Sequence, residues 1–323
     1  MMDRRTFALG AALTPLGIDA SRGQSGWPDR VIRIIVPFAP GAFTDVSARL
    51  LAIELSEQLG QSVIVENRGG AGGVLGTTAV VRATADGYTL LLSDTSQSTA
   101  PGLYPNLPYD PLRDLSHISR VATSPSILLV RPDLGPHTLT ELIALARQKN
   151  GQITFGSGGP GSSAHLGMEL MLDLAGVRGT HVPFRGVAAA ITDVMAGRVD
   201  MVIASLAAGV AQVQAGTLLG LAVSADQRSP LLPQVPTFVE AGLPAYKMLY
   251  WWGLAAPAGT PADIVLRLNR EVNAACGKPR LRDAYLQQAA VAAPSTPDEM
   301  KDLLAREIAL WKGVIERAHV TVQ

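Results

Sequence analysis

Residues 31–45 read VIRIIVPFAPGAFTD, a run of β-branched residues followed by proline, glycine and small side chains. The run Val31–Val36 predicts a buried strand, because β-branched residues are enriched in strands. Pro37–Thr44 is predicted to be a loop. From Asp45 to Leu59 the apolar residues recur at helical spacing, so the three pieces predict a strand–loop–helix unit.

Further strands and helices follow in the same alternating order. Strands are predicted at Ser62–Glu66 and Tyr88–Leu92, with a helix at Leu75–Ala83 between them. In the middle of the chain, a strand at Ile153–Phe155 leads through a glycine-rich loop into a helix at Ala164–Ala175. This βαβαβ order predicts an α/β fold with mostly parallel sheets flanked by helices.

The remaining segments are predicted to contain two long irregular stretches as well as further strands and helices. Thr95–Asp114 is rich in proline, serine and asparagine, which is typical of a long surface loop. A strand is expected at Ser126–Val130, and residues 227–262 are expected to be irregular. Two helices are predicted near residues 262–275 and 297–318.

Composition limits the class of protein. The chain has 323 residues, 47% of them apolar and 17% charged, which suits two lobes of about 150 residues each. Lysine and arginine number 27, as do aspartate and glutamate, so the net charge is zero. This balance argues against a nucleic-acid partner or an anionic membrane surface. Cys276 is the one cysteine, so no intramolecular disulfide can form.

The alternating pattern on both sides of residue 125 predicts two lobes joined by crossing strands. The chain is expected to leave the first lobe near Val121–Val130 and to return near Val223–Arg228. The predicted division is a signal and leader at 1–26, a first lobe at 27–124 plus 225–323, and a second lobe at 125–224.

The N-terminus resembles an export signal. Arg4 and Arg5 precede a short apolar segment, residues 8–18, that is too short to cross a membrane. The arginine pair indicates a twin-arginine signal, with ordinary Sec export as the alternative. No cysteine stands directly after this apolar segment, so a lipid anchor is not expected. The mature chain, starting between Ser21 and Trp27, is expected to be periplasmic and soluble.

Two loops share one design. Pro37–Asp45 and Gly156–His165 each join a predicted strand to the start of a helix, and each is built from glycine, proline and small hydroxyl residues. Backbone N–H groups in such a loop, together with the helix dipole, can hold a carboxylate or phosphate without lysine or arginine. The alternative is that both loops are merely tight strand-to-helix turns.

The polar residues of these loops have two possible roles. Thr44 and Asp45 stand at the start of one helix, and Ser162, Ser163 and His165 at the start of the other. Thr44, Ser162 and Ser163 can cap their helices or hydrogen-bond a ligand, Asp45 can cap its helix or favour its dipole or contact a ligand, and His165 can be structural or a ligand contact. Capping is favoured for Asp45 and a structural role for His165.

Gly156, Gly158 and Gly161 also spell G-x-G-x-x-G after a strand and before a helix. This is the dinucleotide fingerprint, and Arg185 after the next strand would suit NADP, so an NADP-linked oxidoreductase is the alternative function. The sequence has no Walker A motif, nucleophile elbow, paired carboxylates near the loops or metal-ligand spacing. We therefore expect a binding crevice without catalysis, metal or cofactor.

Several motifs occur in an order typical of one family. They are Val36–Gly41, Val65–Gly73, Ala85–Leu91, Leu107–Pro111, Gly156–Ser163, Val182–Gly186, Gly197–Asp200 and Ala256–Pro261. This combination resembles the Bug-type receptors, the extracytoplasmic substrate-binding proteins of tripartite tricarboxylate transporters. The resemblance covers essentially the whole mature chain.

The resemblance implies a periplasmic, two-lobed receptor of the type II binding-protein kind. It implies that a ligand carboxylate is gripped between the two loops, partly through ordered waters. Carried over by position, the site consists of Phe38, Ala39, Gly41, Thr44, Asp45, Ser157, Ser162, Ser163 and His165. Ser93, Thr95, Gly158, Arg185 and Ser205 complete the candidate ligand-binding set.

The chain departs from the family pattern in two places. Ala42 and Phe43 stand where the family usually has a second glycine and a small residue, so the pocket could be narrowed or redirected. Phe38 or Phe43 is expected to form a pocket wall. Arg185 stands where lysine is common, which keeps the charge but changes its geometry.

The predicted function is capture of a small carboxylic acid and its delivery to the membrane permease of a tripartite transporter. A soluble receptor cannot transport alone, so this permease is the expected protein partner. The receptor is expected to be a monomer.

Overall fold

The computed structural model describes residues 26–322, so the predicted signal and leader, residues 1–26, lies outside it except for Gly26. The first part of the chain contains β1 Ile32–Val36, α1 Phe43–Leu59, β2 Val63–Asn67, α2 Val74–Val81, β3 Thr89–Asp94, α3 Ser96–Leu103 and β4 Leu115–Val130. The middle contains α4 Leu139–Lys149, β5 Thr154–Ser157, α5 Ser163–Ala175, β6 Thr180–Pro183, α6 Val187–Met195, β7 Met201–Ser205, α7 Leu206–Gln214 and β8 Leu219–Val223. The last part contains β9 Leu249–Pro257, α8 Ala262–Gly277, α9 Pro279–Gln287, β10 Val291–Ala292 and α10 Pro297–Arg317.

The strands form two sheets that share β4. The first sheet has the order β2-β1-β3-β9-β4, and β10 also pairs with β4. The second has β7, β5 and β6 on one side of β4 and β8 on the other. The predicted α/β architecture of two sheets with flanking helices is confirmed. Four strand pairs are parallel: β1–β2, β1–β3, β5–β6 and β5–β7. Pairs that involve β4 or β9 are antiparallel. Each sheet therefore joins a parallel set of strands to the strands that cross between the lobes.

Strand β4 carries the chain from one lobe to the other. Residues 115–125 pair with β9 in the first sheet, and residues 126–130 pair with β7 and β8 in the second. The sequence predicted only Ser126–Val130, the last five of the 16 residues of this strand. The crossing near Val121–Val130 therefore lies within one continuous strand.

The chain rejoins the first sheet at β9, a strand in the segment that was predicted to be irregular. Between β8 and β9, the side chains of Phe238, Leu243 and Tyr246 pack into the core around α5 and β5. The segment after Val223–Arg228, where the return was predicted, thus still packs against α5 and β5 through these large side chains. The bounds of the two lobes remain a prediction.

Helix α3 replaces part of the loop predicted at Thr95–Asp114. Its polar side chains are buried: Gln97 Nε2 donates to Thr77 Oγ1 at 2.8 Å, and Ser98 Oγ donates to Glu307 Oε2 at 3.0 Å. A helix with a buried polar face has no apolar stripe, so the periodicity argument misses it. Helix α3 begins directly after β3, which brings it to the carboxyl end of the first sheet.

Candidate functional site

The two predicted loops meet at a cleft of about 500 Å³ between the lobes. The first lobe contributes Phe38, Gly72 and one face of the segment from Asp94 to Tyr104, which includes α3, and the second lobe contributes the loop before α5. The lining residues are Phe38, Gly72, Asp94, Ser96, Thr99, Ala100, Leu103, Tyr104, Gly158, Gly159, Pro160, Gly161, Ser162, Ser163 and Val322. A larger cavity of about 840 Å³ lies beside Glu169 and Arg317, but neither loop lines it.

Asp45 holds the first loop in shape. Its carboxylate accepts hydrogen bonds from Gly41 N at 3.1 Å, Asn67 Nδ2 at 3.0 Å and Arg49 Nε at 3.1 Å. Helix α1 begins at Phe43, and its N-terminal position has no side-chain cap. The favoured capping role of Asp45 is therefore wrong, because its side chain binds Gly41, Arg49 one turn along the helix and the more distant Asn67. Its charge does lie in the first turn of α1, where the helix dipole favours it.

Burial would raise the pKa of Asp45, but the hydrogen bonds from Arg49, Asn67 and Gly41 outweigh it and lower the pKa. A carboxyl with a lowered pKa in the folded state stabilises the protein above its unfolded-state pKa. This stabilisation is lost as the pH falls through the folded-state pKa of Asp45.

We expect Asp45→Ala to lower the free energy of unfolding by about 1.5–3 kcal/mol at pH 7, because the half-buried Asn67 amide and the Gly41 N–H lose a charged acceptor. The deficit should shrink as the solution is acidified. Urea denaturation at several pH values measures it. The control is Asp173→Ala, which removes an exposed ion pair with Arg317 and should cost less than about 1 kcal/mol. Equal losses in the two variants would contradict the role of Asp45.

The end of β2 and the glycine-rich turn that follows it both contact the first loop. Asn67 Nδ2 also donates to Phe38 O at 3.1 Å. A Cβ at Gly73 would lie 3.3 Å from the Phe38 ring, so this glycine leaves room for the ring. Phe38 lines the cleft, whereas Phe43 packs against Trp252 with ring centroids 4.2 Å apart. Of the two phenylalanines, Phe38 provides the pocket wall.

Thr44 is part of a buried hydrogen-bond chain. Trp252 Nε1 donates to Thr44 Oγ1 at 2.9 Å, and Thr44 Oγ1 donates to Asp94 Oδ2 at 3.4 Å. Its hydroxyl therefore does not cap α1. These two hydrogen bonds connect the first loop to the carboxyl end of β3.

The second loop is held by its own side chains. Ser162 caps α5 by accepting a hydrogen bond from His165 N at 3.3 Å. Gly161 N donates to His165 Nδ1 at 3.0 Å, which leaves the proton of a neutral His165 on Nε2, 3.5 Å from Glu169 Oε1. The structural role of His165 agrees with the interpretation favoured from the sequence.

His181 supports this loop from the next strand. Its Nε2 lies 2.6 Å from Ser157 Oγ, and its ring stacks on His165 with centroids 3.6 Å apart. Burial and the nearby His165 lower the pKa of His181 to about 4, so its ring is neutral at neutral pH. Ser157 Oγ also accepts from Gly159 N, so its polar capacity is used within the loop.

A model of the tripartite tricarboxylate transporter family receptor matches residues 47–320. The chain belongs to this family. Protein BugT of Bordetella pertussis is 38% identical to the receptor over 316 residues, which are 97% of each chain. The family resemblance drawn from the sequence motifs is confirmed. This chain, called the receptor below, is a solute receptor for tripartite transporters.

Two solved structures of Rhodopseudomonas palustris proteins are similar to the receptor. Rpa4515 with adipate is 35% identical, with a TM-score of 0.80, and the match covers 91% of this chain and 99% of that one. MatC with bound malate is 32% identical, with a TM-score of 0.77, covering 90% of this chain and 100% of that one. The expected type II binding-protein fold is confirmed. The comparisons give no support to the oxidoreductase alternative.

The structure brings four of the predicted site residues of the receptor to the cleft: Phe38, Gly158, Ser162 and Ser163. The others lie beside it or farther away. Ala39, Gly41, Thr44, Asp45, Ser157 and His165 form or support the two loops. Four predicted residues do not line the cleft: Ser93, Thr95, Arg185 and Ser205. The Ser93 hydroxyl donates to Gly253 O, and Thr95 is buried before α3. Arg185 is exposed, and Ser205 precedes α7.

Sequence reasoning missed the contribution of α3 to the receptor's cleft. Asp94, Ser96 and Tyr104 line it, and none was predicted. One signal was available: Asp94 follows a predicted strand parallel to β1, and the carboxyl ends of parallel strands share one edge of the sheet. Across residues 26–322 we find no cluster of three or more His, Cys, Asp or Glu residues that could hold a metal ion.

Proposed function

We propose that the receptor captures a small carboxylic acid in this cleft and delivers it, without chemical turnover, to the membrane permease of its transporter. The observation that carries the proposal is the N-terminus of α5, where Gly158, Ser162 and Ser163 line the cleft opposite Phe38. The first N–H groups of a helix lack partners within the helix and attract anions.

The lining has the chemistry of a site for an anion with an apolar body. Among the residues that the structure describes, no lysine or arginine lines the cleft. A carboxylate would be bound by neutral N–H and hydroxyl donors, and such bonds to a charged group contribute about 1.5–3 kcal/mol each. Phe38, Leu103 and Val322 supply apolar surface for the rest of the ligand. That relatives bind adipate and malate supports a small organic acid.

The place of action is part of the same proposal: an exported receptor that works in the periplasm as a monomer, without a lipid anchor. The arginine pair at the N-terminus and membership of a transporter-receptor family support export to the periplasm. Within residues 26–322, none of the helices is long and apolar enough to cross a membrane.

A thermal-shift screen of organic acids, including adipate and malate, tests the proposal. A ligand at 100 times its Kd stabilises a protein by about 2.7 kcal/mol. For an acid that binds, we expect the double variant Ser162→Ala, Ser163→Ala to raise the Kd by about 10- to 100-fold, because two donors or their positioning are lost.

Ser162 also caps α5, so a cap-loss control is needed. Thr138→Ala removes the cap of α4, away from the cleft. It should cost a similar ~1 kcal/mol of stability and leave the Kd unchanged. Unchanged binding by the double variant, or a screen in which no acid stabilises the wild type, would contradict the proposal.

A further inference from the structure

One carboxyl group faces the cleft in which the proposed function places an acid. Asp94 is the last residue of β3 and lines the cleft together with Ser162 and Ser163 of the opposite lobe. Two carboxylates in one cleft repel each other, more strongly where water is scarce. A ligand that carries only negative charge is therefore a poor match for this lining.

The local fold does not need the charge of Asp94. Its Oδ1 accepts Ser96 N at 2.9 Å at the start of α3, and its Oδ2 accepts Thr44 Oγ1 at a long 3.4 Å. An asparagine Oδ1 can accept the same Ser96 N–H, so a neutral amide would serve this structural role. The carboxylate retains acceptor capacity, since its two oxygens can accept about four hydrogen bonds.

Asp94 also lacks a cationic partner. Within the described part of the chain, no lysine, arginine or histidine forms an ion pair with it, in contrast to Asp45 and Asp200, which pair with Arg49 and Arg131. Burial raises the pKa of Asp94, although Ser96 and Thr44 act in the opposite direction. Burying an ionised carboxylate without a counter-charge is costly, and a bound cation would relieve that cost.

A second polar atom at the same place has no partner. Ser96 Oγ is buried next to Asp94: it is close enough to lower the pKa of that carboxyl but forms no hydrogen bond of good geometry, and Ser96 also lines the cleft. Unpartnered buried hydroxyl groups are uncommon in folded proteins. A ligand group with several N–H donors would satisfy both Asp94 and Ser96.

We infer that Asp94 is a specificity-determining residue that binds a protonated amine on the ligand, so that the receptor selects a small amino acid over a dicarboxylic acid. The inference rests on the proposed function, because the carboxylate of the same ligand occupies the N-terminus of α5. The ligand's two charges then meet opposite partners: helix N–H groups at one end and Asp94 at the other. A cleft of about 500 Å³ has room for a small zwitterion of this kind.

Matched ligand pairs test the inference by isothermal titration calorimetry. 4-Aminobutyrate is compared with succinate, and 6-aminohexanoate with adipate; within each pair the chain length is equal and one carboxylate is exchanged for an ammonium group. We expect the wild type to bind at least one amine tighter than its matched diacid by about tenfold or more. Asp94→Asn, which keeps an oxygen to accept the Ser96 N–H, should weaken binding of that amine by about 30-fold and leave or improve binding of the diacid.

Asp226→Asn is the control for loss of one negative charge, because Asp226 is exposed in the turn after β8. It should bind all four compounds as the wild type does. Circular dichroism and thermal unfolding establish that each variant is folded, and retained diacid binding by Asp94→Asn gives a second check on its cleft.

The outcomes separate the inference from the proposed function. If the diacids bind the wild type tighter than the amines, and Asp94→Asn changes both by the same factor, the inference is wrong and the proposed function stands. If no acid of the wider screen binds, the proposed function itself fails. Tighter amine binding that Asp94→Asn abolishes supports both.

Discussion

Gly76→Ala is expected to lower the free energy of unfolding by about 3 kcal/mol, at the upper end of the range for overpacking a well-packed site. A Cβ at Gly76 would lie 2.5 Å from Arg68 O and 2.8 Å from Pro37 Cα. Both are backbone atoms, so no side-chain rotation can relieve the overlap. Either the glycine-rich turn or the first loop must move.

Gly277→Ala is the matched control. Gly277 also lies in a helix, α8, but a Cβ there would have no neighbour within 4 Å. Alanine is the better helix former by up to about 1 kcal/mol, so this variant should be neutral or stabilised. Urea denaturation of both variants measures the difference, and a loss at Gly76 no larger than the change at Gly277 would show that the contact can relax.

The effect should extend to the site. Gly76 lets α2 approach Pro37, the residue that precedes Phe38 in the wall of the cleft. The glycine-rich turn thus positions a ligand-binding loop without lining most of the cleft itself. This explains in physical terms why glycines distant from the ligand loops form part of the sequence pattern.

The parts of the fold predicted correctly depend on contacts close in sequence. Strand β1, its loop and α1 follow from periodicity over residues 31–59, and the same holds for β5 and α5. Such elements bury an apolar face, which a short window of sequence reveals. That the two loops grip one ligand was implied by the family resemblance, and each loop lies at the carboxyl end of a parallel strand, where open α/β sheets bind ligands.

The parts missed depend on partners far along the chain. Helix α3 looks like a loop because its polar residues are satisfied by Thr77 and Glu307. The role of Asp45 was ambiguous because Asn67, its partner, lies 22 residues away. Strand β9 was missed because it is buried between β3 and β4, and its pairing is invisible without them.

Gly161→Ala should weaken ligand binding far more than it weakens the fold. Gly161 belongs to the loop of the second lobe, and a Cβ there would lie 2.6 Å from Leu103 Cδ1 and 3.0 Å from Val322 Cγ1. Leu103 ends α3 and is 8% exposed, so its side chain can give way only into the cleft, where it would occupy space for the ligand. The added Cβ is expected to push the second loop and α3 apart at the point where they contact each other across the cleft.

The expected size follows from the cost of that overlap. Overpacking of this kind costs about 1–3 kcal/mol, and if the cost falls on the closed arrangement of the cleft, the apparent Kd rises by about 5- to 150-fold. The positive φ of 72° at Gly161 adds strain for any residue with a Cβ. That strain must be separated from the contact.

Gly176→Ala makes the separation, because Gly176 follows α5 with a φ of 62° and a Cβ there would have no atom within 4 Å. Both variants carry left-handed alanine strain of about 1–2 kcal/mol, but only Gly161→Ala meets Leu103 and Val322. We therefore expect both to lose stability and only Gly161→Ala to lose affinity for an acid found in the screen. Equal affinities in the two variants would mean that the second loop does not need to contact α3 for the ligand to be held.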